Sequence, residues 1–282
     1  MAELHLGQVD YINCIMPYHA FEEGQLPLDA KITKASPTRL KQMFLEGKLD
    51  ITPLSAIEYA RYADRCYIFP NMSISANGKA DNVVLLSRVP VTELEGQRVA
   101  ITSLDTTANA LLKILFEHYY HVEVNYLTMD TDLDNMLAHA DAVLQIGDDA
   151  MIANQRVKNE SLPYIVTDLG RSWKEFTGEK MVFSIWCVRR DFAQNNPEKA
   201  TDIIDLFSQS KLLGAKQLPT LVDIARRKIG LPPEVLEEYF HQISHEFDDQ
   251  CRHALITFYD YAYKSGLIEE RVKLNIWGEN IG

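Results

Sequence analysis

The sequence predicts an α/β chain folded as two lobes, and three patterns carry that expectation. Short apolar, β-branched runs alternate with amphipathic helical stretches through the first half, the rhythm of parallel βαβ units. Two further apolar runs, Val83–Ser87 and Val182–Arg189, stand apart from that rhythm and read as strands near which the chain crosses between lobes. After Pro197 the pattern becomes wholly helical.

Taken in order, Leu4–Val9 reads as a buried strand and Asn13–Glu22 as a helix opened around Pro17. Lys31–Lys34 is a short strand. Ser36-Pro37 then starts a helix, with Ser as cap and Pro in the first turn; Leu40, Met43 and Phe44 form its apolar face and Gly47 its stop. Leu49–Thr52 returns as a strand and Ser55–Tyr62 as a helix. A second unit follows: strands at Gln97–Thr102, Val122–Leu127 and Ala142–Ile146, with helices at Thr106–Tyr120 and Asp132–Ala138. The tail reads as helices at Pro197–Lys216, Leu218–Lys228, Pro232–His245 and Asp249–Lys264. With no repeat and no Pro/Gly/Ser-rich linker, this is the plan of a periplasmic-binding-protein-like fold with two crossing strands and a helical C-terminal tail. Lobe one is expected at 1–82 plus 189–282, and lobe two at 83–188.

Bulk properties narrow the function. Of 282 residues 46% are apolar and 24% charged, enough to bury a sizeable core. The net charge of -12 argues against a nucleic-acid partner and requires any anion site to be built locally from hydrogen-bond donors. The start, Met1-Ala2-Glu3-Leu4-His5-Leu6-Gly7, lacks the basic and apolar segments of an export signal, and no run approaches the ~18 apolar residues of a membrane span. Cys14, Cys66, Cys187 and Cys251 are widely spaced and read as reduced thiols, so a cytoplasmic location is expected. His241 and His245, with Cys251 and His253 nearby, have a metal-like spacing but no closing motif, and a solvated helix face is the simpler reading. No cofactor motif is present, and no metal or cofactor is expected.

Chemistry concentrates at strand-to-helix junctions. Leu49-Asp50-Ile51-Thr52-Pro53-Leu54-Ser55 and Val99-Ala100-Ile101-Thr102-Ser103, the latter running on to Thr106-Thr107, each lead a strand into a hydroxyl-rich helix start. Such starts offer unpaired N–H groups and partial positive charge, though plain N-capping explains either one alone. One junction per lobe would grip two carboxylates across a cleft. Asn13, in Asp10-Tyr11-Ile12-Asn13-Cys14, follows the first strand at the end where open α/β sheets place ligands. Asp148 and Asp149 open a helix after Ile146-Gly147 and read as caps.

Asp10-Tyr11-Ile12-Asn13-Cys14 with Pro17-Tyr18, and Leu49-Asp50-Ile51-Thr52-Pro53-Leu54-Ser55-Ala56-Ile57-Glu58-Tyr59-Ala60, closely resemble the chorismate dehydratases of the futalosine route to menaquinone. Ser73-Ile74-Ser75, Val99-Ala100-Ile101-Thr102-Ser103, Ile146-Gly147-Asp148-Asp149 and Asp168-Leu169-Gly170 extend the resemblance from about Leu4 to Arg189. It implies a lyase with chorismate as substrate, Asn13 as the catalytic residue, and Ser55, Asn82, Ser103, Thr106 and Thr107 around the ligand. Tyr11, Asp148 and Asp149 support that site. Asn82 departs from the serine expected there in many relatives. Asn can still donate, but with different reach.

Dehydrating chorismate removes the ring hydrogen beside the ether oxygen and the neighbouring hydroxyl, and aromatisation drives the step. Deprotonation pushes charge into the ring carboxylate, which the donors of the second junction would stabilise. None of the matched positions is a strong base, so the substrate's enolpyruvyl carboxylate is expected to take the proton. The naphthoate-forming enzyme of the same pathway, a solute-binding module and a cytoplasmic ligand sensor are the alternatives. The Tyr11-Ile12-Asn13 segment suits the dehydratase best.

Overall fold

The computed structural model describes residues 3–102, 106–130 and 132–279. Four strands come first: β1 (Leu4–Val9), β2 (Ala30–Ala35), β3 (Ile51–Ser55) and β4 (Cys66–Ala76). β5 (Val83–Ser87), β6 (Arg98–Thr102), β7 (Asn125–Met129), β8 (Ala142–Ile146) and β9 (Ile165–Asp168) follow, then β10 (Met181–Arg189) and the two-residue β11 (Ile243–Ser244). They form two sheets, ordered β11-β4-β10-β3-β1-β2 and β7-β6-β8-β5-β9. The second sheet thus takes its strands from one stretch of chain, Val83 to Asp168. β10 pairs antiparallel with β3 and β4 from Met181 onward, so the return to the first sheet precedes that strand rather than following it.

The helices are α1 (Ile15–Glu22), α2 (Pro37–Leu45), α3 (Ala56–Tyr62), α4 (Thr107–Leu115), α5 (Leu133–His139), α6 (Gly147–Asn159), α7 (Leu169–Thr177) and α8 (Arg190–Asn195). The tail adds α9 (Pro197–Ala215), α10 (Leu218–Ile229), α11 (Pro233–Gln242) and α12 (Asp249–Lys264). α2 starts as its sequence requires: Ser36 Oγ accepts from Arg39 N, Pro37 fills the first turn, and Leu40 and Phe44 are buried. One large core joins the lobes. Leu111 and Leu115 of α4, Trp173 of α7 and Phe258 of α12 belong to it, Trp173 meeting Phe258 edge-on at 6.0 Å. A second, smaller core lies on the other face of the β5–β9 sheet, between Val84, Leu86, Val143 and Ala150.

The crossover after β4 is clamped. Asp168 at the end of β9 accepts from Ala80 N and Asp81 N while capping α7 through Arg171 N. A side chain on Gly170 would meet the Gly78 carbonyl at 2.5 Å, so this close approach requires glycine.

Two expectations change. β4 was hidden in the sequence because Pro70-Asn71 interrupts it, and the structure absorbs them at register shifts between β4 and β10. The helix expected over Pro232–His245 stops at Gln242, so His241 and His245 do not share a helix face. His241 and His253 are exposed, whereas His245 and Cys251 are buried against the first sheet's edge.

Candidate functional site

A narrow cavity of about 100 Å³ lies between the lobes, and Tyr11, Asn13, Ser55, Asn82, Thr106 and Thr107 all line it. Ser103 lies outside the described residues. The cavity sits where the ends of β1, β3 and β8 meet the start of β5 and the first turn of α4, the edge at which ligands of open α/β sheets are found.

Asn13 stands in a short 3-10 turn, Ile12–Cys14, directly after β1. Its carbonyl accepts from His245 Nε2 at 2.6 Å, which assigns the ring hydrogen to Nε2 because a carbonyl cannot donate. Ser55 ends β3 at the N-cap position of α3, yet its side chain makes no capping bond. Asn82 enters β5; its carbonyl accepts from Gly147 N at 2.8 Å and its Nδ2 donates to Tyr239 Oη at 2.9 Å. Among the described residues, Asn13 Oδ1, Ser55 Oγ and Asn82 Oδ1 are buried without a hydrogen-bond partner. A buried orphan costs about 1–3 kcal/mol, and three of them come from separate elements around this one cavity.

Other expected donors are already engaged. Thr106 caps α4, accepting from Asn109 N at 3.4 Å, and keeps its hydrogen to give. Thr107 gives its hydrogen to the Phe183 carbonyl at 3.1 Å and accepts from Ile57 N at 3.2 Å. It ties α4 to α3 and β10 across the lobes instead of presenting a hydroxyl to a ligand. Asn82 likewise offers an acceptor, since its donor is committed to Tyr239.

The acids are not simple caps either. The residue at the N-cap of α6 is Ile146, and Asp148 Oδ1 accepts from Ile12 N at 3.0 Å in the other lobe. Asp148 Oδ2 also lies 3.2 Å from Lys228 Nζ, and Lys228 meets Asp10 at 2.9 Å. Burial raises the Asp148 carboxyl above its ordinary value, and the Ile12 N–H and Lys228 oppose that rise. Asp149 is exposed. Burial, reinforced by the Asp149 and Asp148 charges, pushes Tyr11 up to about 12, and burial pushes Cys14 up to about 12. Both are neutral at pH 7, and they are the ionisable groups among the described cavity-lining residues. The cavity presents dipoles rather than charges.

Sequence reasoning missed Tyr239 and Lys228, and it read the buried His245 as part of a solvated helix face. Tyr239 reads as one apolar residue on the face Leu236, Tyr239, Phe240, and Lys228 as part of an ordinary basic helix end, Arg226-Arg227-Lys228. No local signal could have singled them out.

A family model described as menaquinone biosynthesis matches residues 4–264. A 1,4-dihydroxy-6-naphthoate synthase of Thermus thermophilus is 26% identical over 277 residues, covering 96% of this chain and 90% of the relative. Among solved structures, a protein of Archaeoglobus fulgidus superposes with a TM-score of 0.79 at 18% identity, covering 94% of this chain and 98% of that one. The periplasmic aliphatic sulphonate binding protein of Escherichia coli gives 0.69 at 17% identity, covering 99% and 92%. The fold is therefore that of periplasmic binding proteins. Among the described residues, no helix is long and apolar enough to cross a membrane.

Proposed function

The chain belongs to the menaquinone biosynthesis family, and on that premise we propose that it dehydrates chorismate to the carboxyvinyl ether of meta-hydroxybenzoate in the futalosine route. The observation that carries the reading is the set of three unpartnered polar atoms, on Asn13, Ser55 and Asn82, residues that line one narrow cavity of neutral groups. Chorismate brings two carboxylates and a hydroxyl of its own, so the protein needs donors and acceptors in fixed places more than a strong acid or base.

In this reaction the ring C–H beside the ether oxygen breaks and its electrons enter the ring, delocalised onto the ring carboxylate. The neighbouring C–O bond then breaks, and the hydroxide leaves as water with the proton that the base took from the ring. The first turn of α4, with its N–H groups and the Thr106 hydroxyl, faces the cavity as a donor set for the charge that develops on that carboxylate. Tyr11 and Cys14 hold their protons too tightly to act as bases at neutral pH, which favours the enolpyruvyl carboxylate as the proton acceptor.

The identity to a naphthoate synthase favours a second reading, formation of the two-ring product named for that relative. Purified protein mixed with chorismate decides between them: a new aromatic absorbance and a product lighter by one water support dehydration. No turnover of chorismate overturns it. An analogue with the enolpyruvyl carboxylate amidated is expected to bind without reacting; normal turnover of that analogue assigns the base to the protein.

A further inference from the structure

Tyr239 is 1% exposed on α11, and its hydroxyl oxygen lies between two amides. Asn82 Nδ2 donates to it at 2.9 Å, and the Asn13 side chain lies near enough to oppose the rise that burial gives its pKa. A primary amide is nearly symmetric in shape, and half a turn exchanges its donor for its acceptor. An unrestrained asparagine therefore discriminates poorly between a ligand that donates and one that accepts. Asn82 loses that freedom, because it spends its NH2 on Tyr239; its Oδ1 and that of Asn13 beside it are both buried and have no partner among the described residues.

We propose that Tyr239 is a positioning residue that fixes the amide of Asn82, so that its carbonyl oxygen pairs with that of Asn13 as two acceptors for the hydroxyl the reaction expels. The nature of that hydroxyl rests on the dehydratase reading; the acceptor pair does not. A ring hydroxyl carries one hydrogen, so it satisfies one of the two oxygens in the ground state. As the C–O bond breaks and the oxygen gains a proton, the departing water carries two hydrogens and satisfies both. The second bond is thus made only as the leaving group forms, the condition for lowering a barrier rather than merely tightening binding. Tyr239 touches no substrate in this scheme and acts through the Asn82 amide.

Steady-state kinetics of Tyr239→Phe on chorismate should show kcat reduced on the order of tenfold or more with KM within about threefold. A purely structural role would lower the melting temperature without that split. The second readout needs no turnover: competition by the aromatic product against the same product bearing a ring hydroxyl beside the ether. The wild-type protein should favour the hydroxylated compound by on the order of tenfold, and Tyr239→Phe should lose that preference while binding the parent product as before. Replacing Tyr239 with 3-fluorotyrosine, which keeps shape and weakens the oxygen as an acceptor, should give an intermediate loss. A preference that survives in Tyr239→Phe overturns the proposal. Wild-type protein that shows the preference but does not consume chorismate overturns the dehydratase reading and leaves the acceptor pair standing.

Discussion

The buried His245 makes stability depend on pH between its ordinary pKa and its depressed one. Its ring is 5% exposed, and its Nε2 hydrogen is spent on the Asn13 carbonyl. Burial, opposed by that hydrogen bond, holds its pKa down from 6.5 to about 4; Lys211 depresses it further and Glu246 works against it. A depressed histidine is neutral in the native protein while the unfolded chain takes up a proton below its ordinary value. Stability from this source is therefore fully present above pH 6.5 and is lost as the pH falls towards 4. The full difference amounts to about 3 kcal/mol, a sizeable part of the 5–15 kcal/mol that typically holds a domain together. Urea unfolding of wild-type protein and of His245→Gln, which keeps a donor but cannot titrate, measures it between pH 7 and 4.5. The stability difference between the two should shift in favour of the variant as the pH falls, by 2 kcal/mol or more at the acid end. Parallel pH profiles would refute the assignment and place the acid sensitivity elsewhere.

Two further perturbations test lobe closure. Thr107→Val removes both hydrogen bonds of the bridge from Thr107 to Ile57 N and Phe183 O, stranding buried backbone groups at about 1–3 kcal/mol each in the closed form alone; ligand affinity should fall tenfold or more, scattering should show a more open molecule, and Thr107→Ser should restore both. An unchanged affinity would show that the bridge is incidental. Gly147→Ala places a Cβ 2.9 Å from the Tyr11 ring at a residue with φ +63, so it should cost about 1–2 kcal/mol in backbone strain and displace Tyr11; unchanged melting temperature and product affinity would show that the loop accommodates it.

What was legible in the sequence was what short-range chemistry determines. β1, β5 and β8 stand at the positions their apolar runs indicate, and the Ser36-Pro37 start of α2 follows from capping alone. The segments around Asn13, Ser55, Asn82 and Thr106 were recognisable too, and they converge on one cavity. The partners of those residues were not. Tyr239 meets Asn82 across 157 residues of chain, His245 meets Asn13 across 232, and Asp148 meets Ile12 across 136. Such pairings are products of packing, and no periodicity in the intervening sequence encodes them. The same distance effect explains the acids at Gly147-Asp148-Asp149. An aspartate at a helix start reads as a cap, but with Gly147 at φ +63 the chain turns so that Asp148 reaches the opposite lobe instead.

The two sets of interactions divide the work between closing the cleft and choosing the ligand. Asp148 to Ile12, Thr107 to Ile57 and the charged trio Lys228, Asp148 and Asp10 join the lobes around the cavity, and each can exchange its partner for water on opening. A hydrogen bond exchanged in that way contributes only ~1 kcal/mol, so these ties alone hold the closed form weakly. Against them stand the buried, unpartnered oxygens of Asn13, Ser55 and Asn82, each of which favours opening because water would satisfy it. Each of those oxygens that a ligand satisfies reduces the opposing term and leaves the ties less opposed. Closure and recognition are then one event: a molecule of the right shape but without a hydroxyl to offer leaves the orphans in place, and the cleft has little reason to stay shut. Because the charges sit in the inter-lobe ties and the neutral dipoles line the cavity, added salt should lower affinity through the ties while leaving the preference among ligands unchanged, as expected when partly exposed ion pairs are screened and buried hydrogen bonds are not.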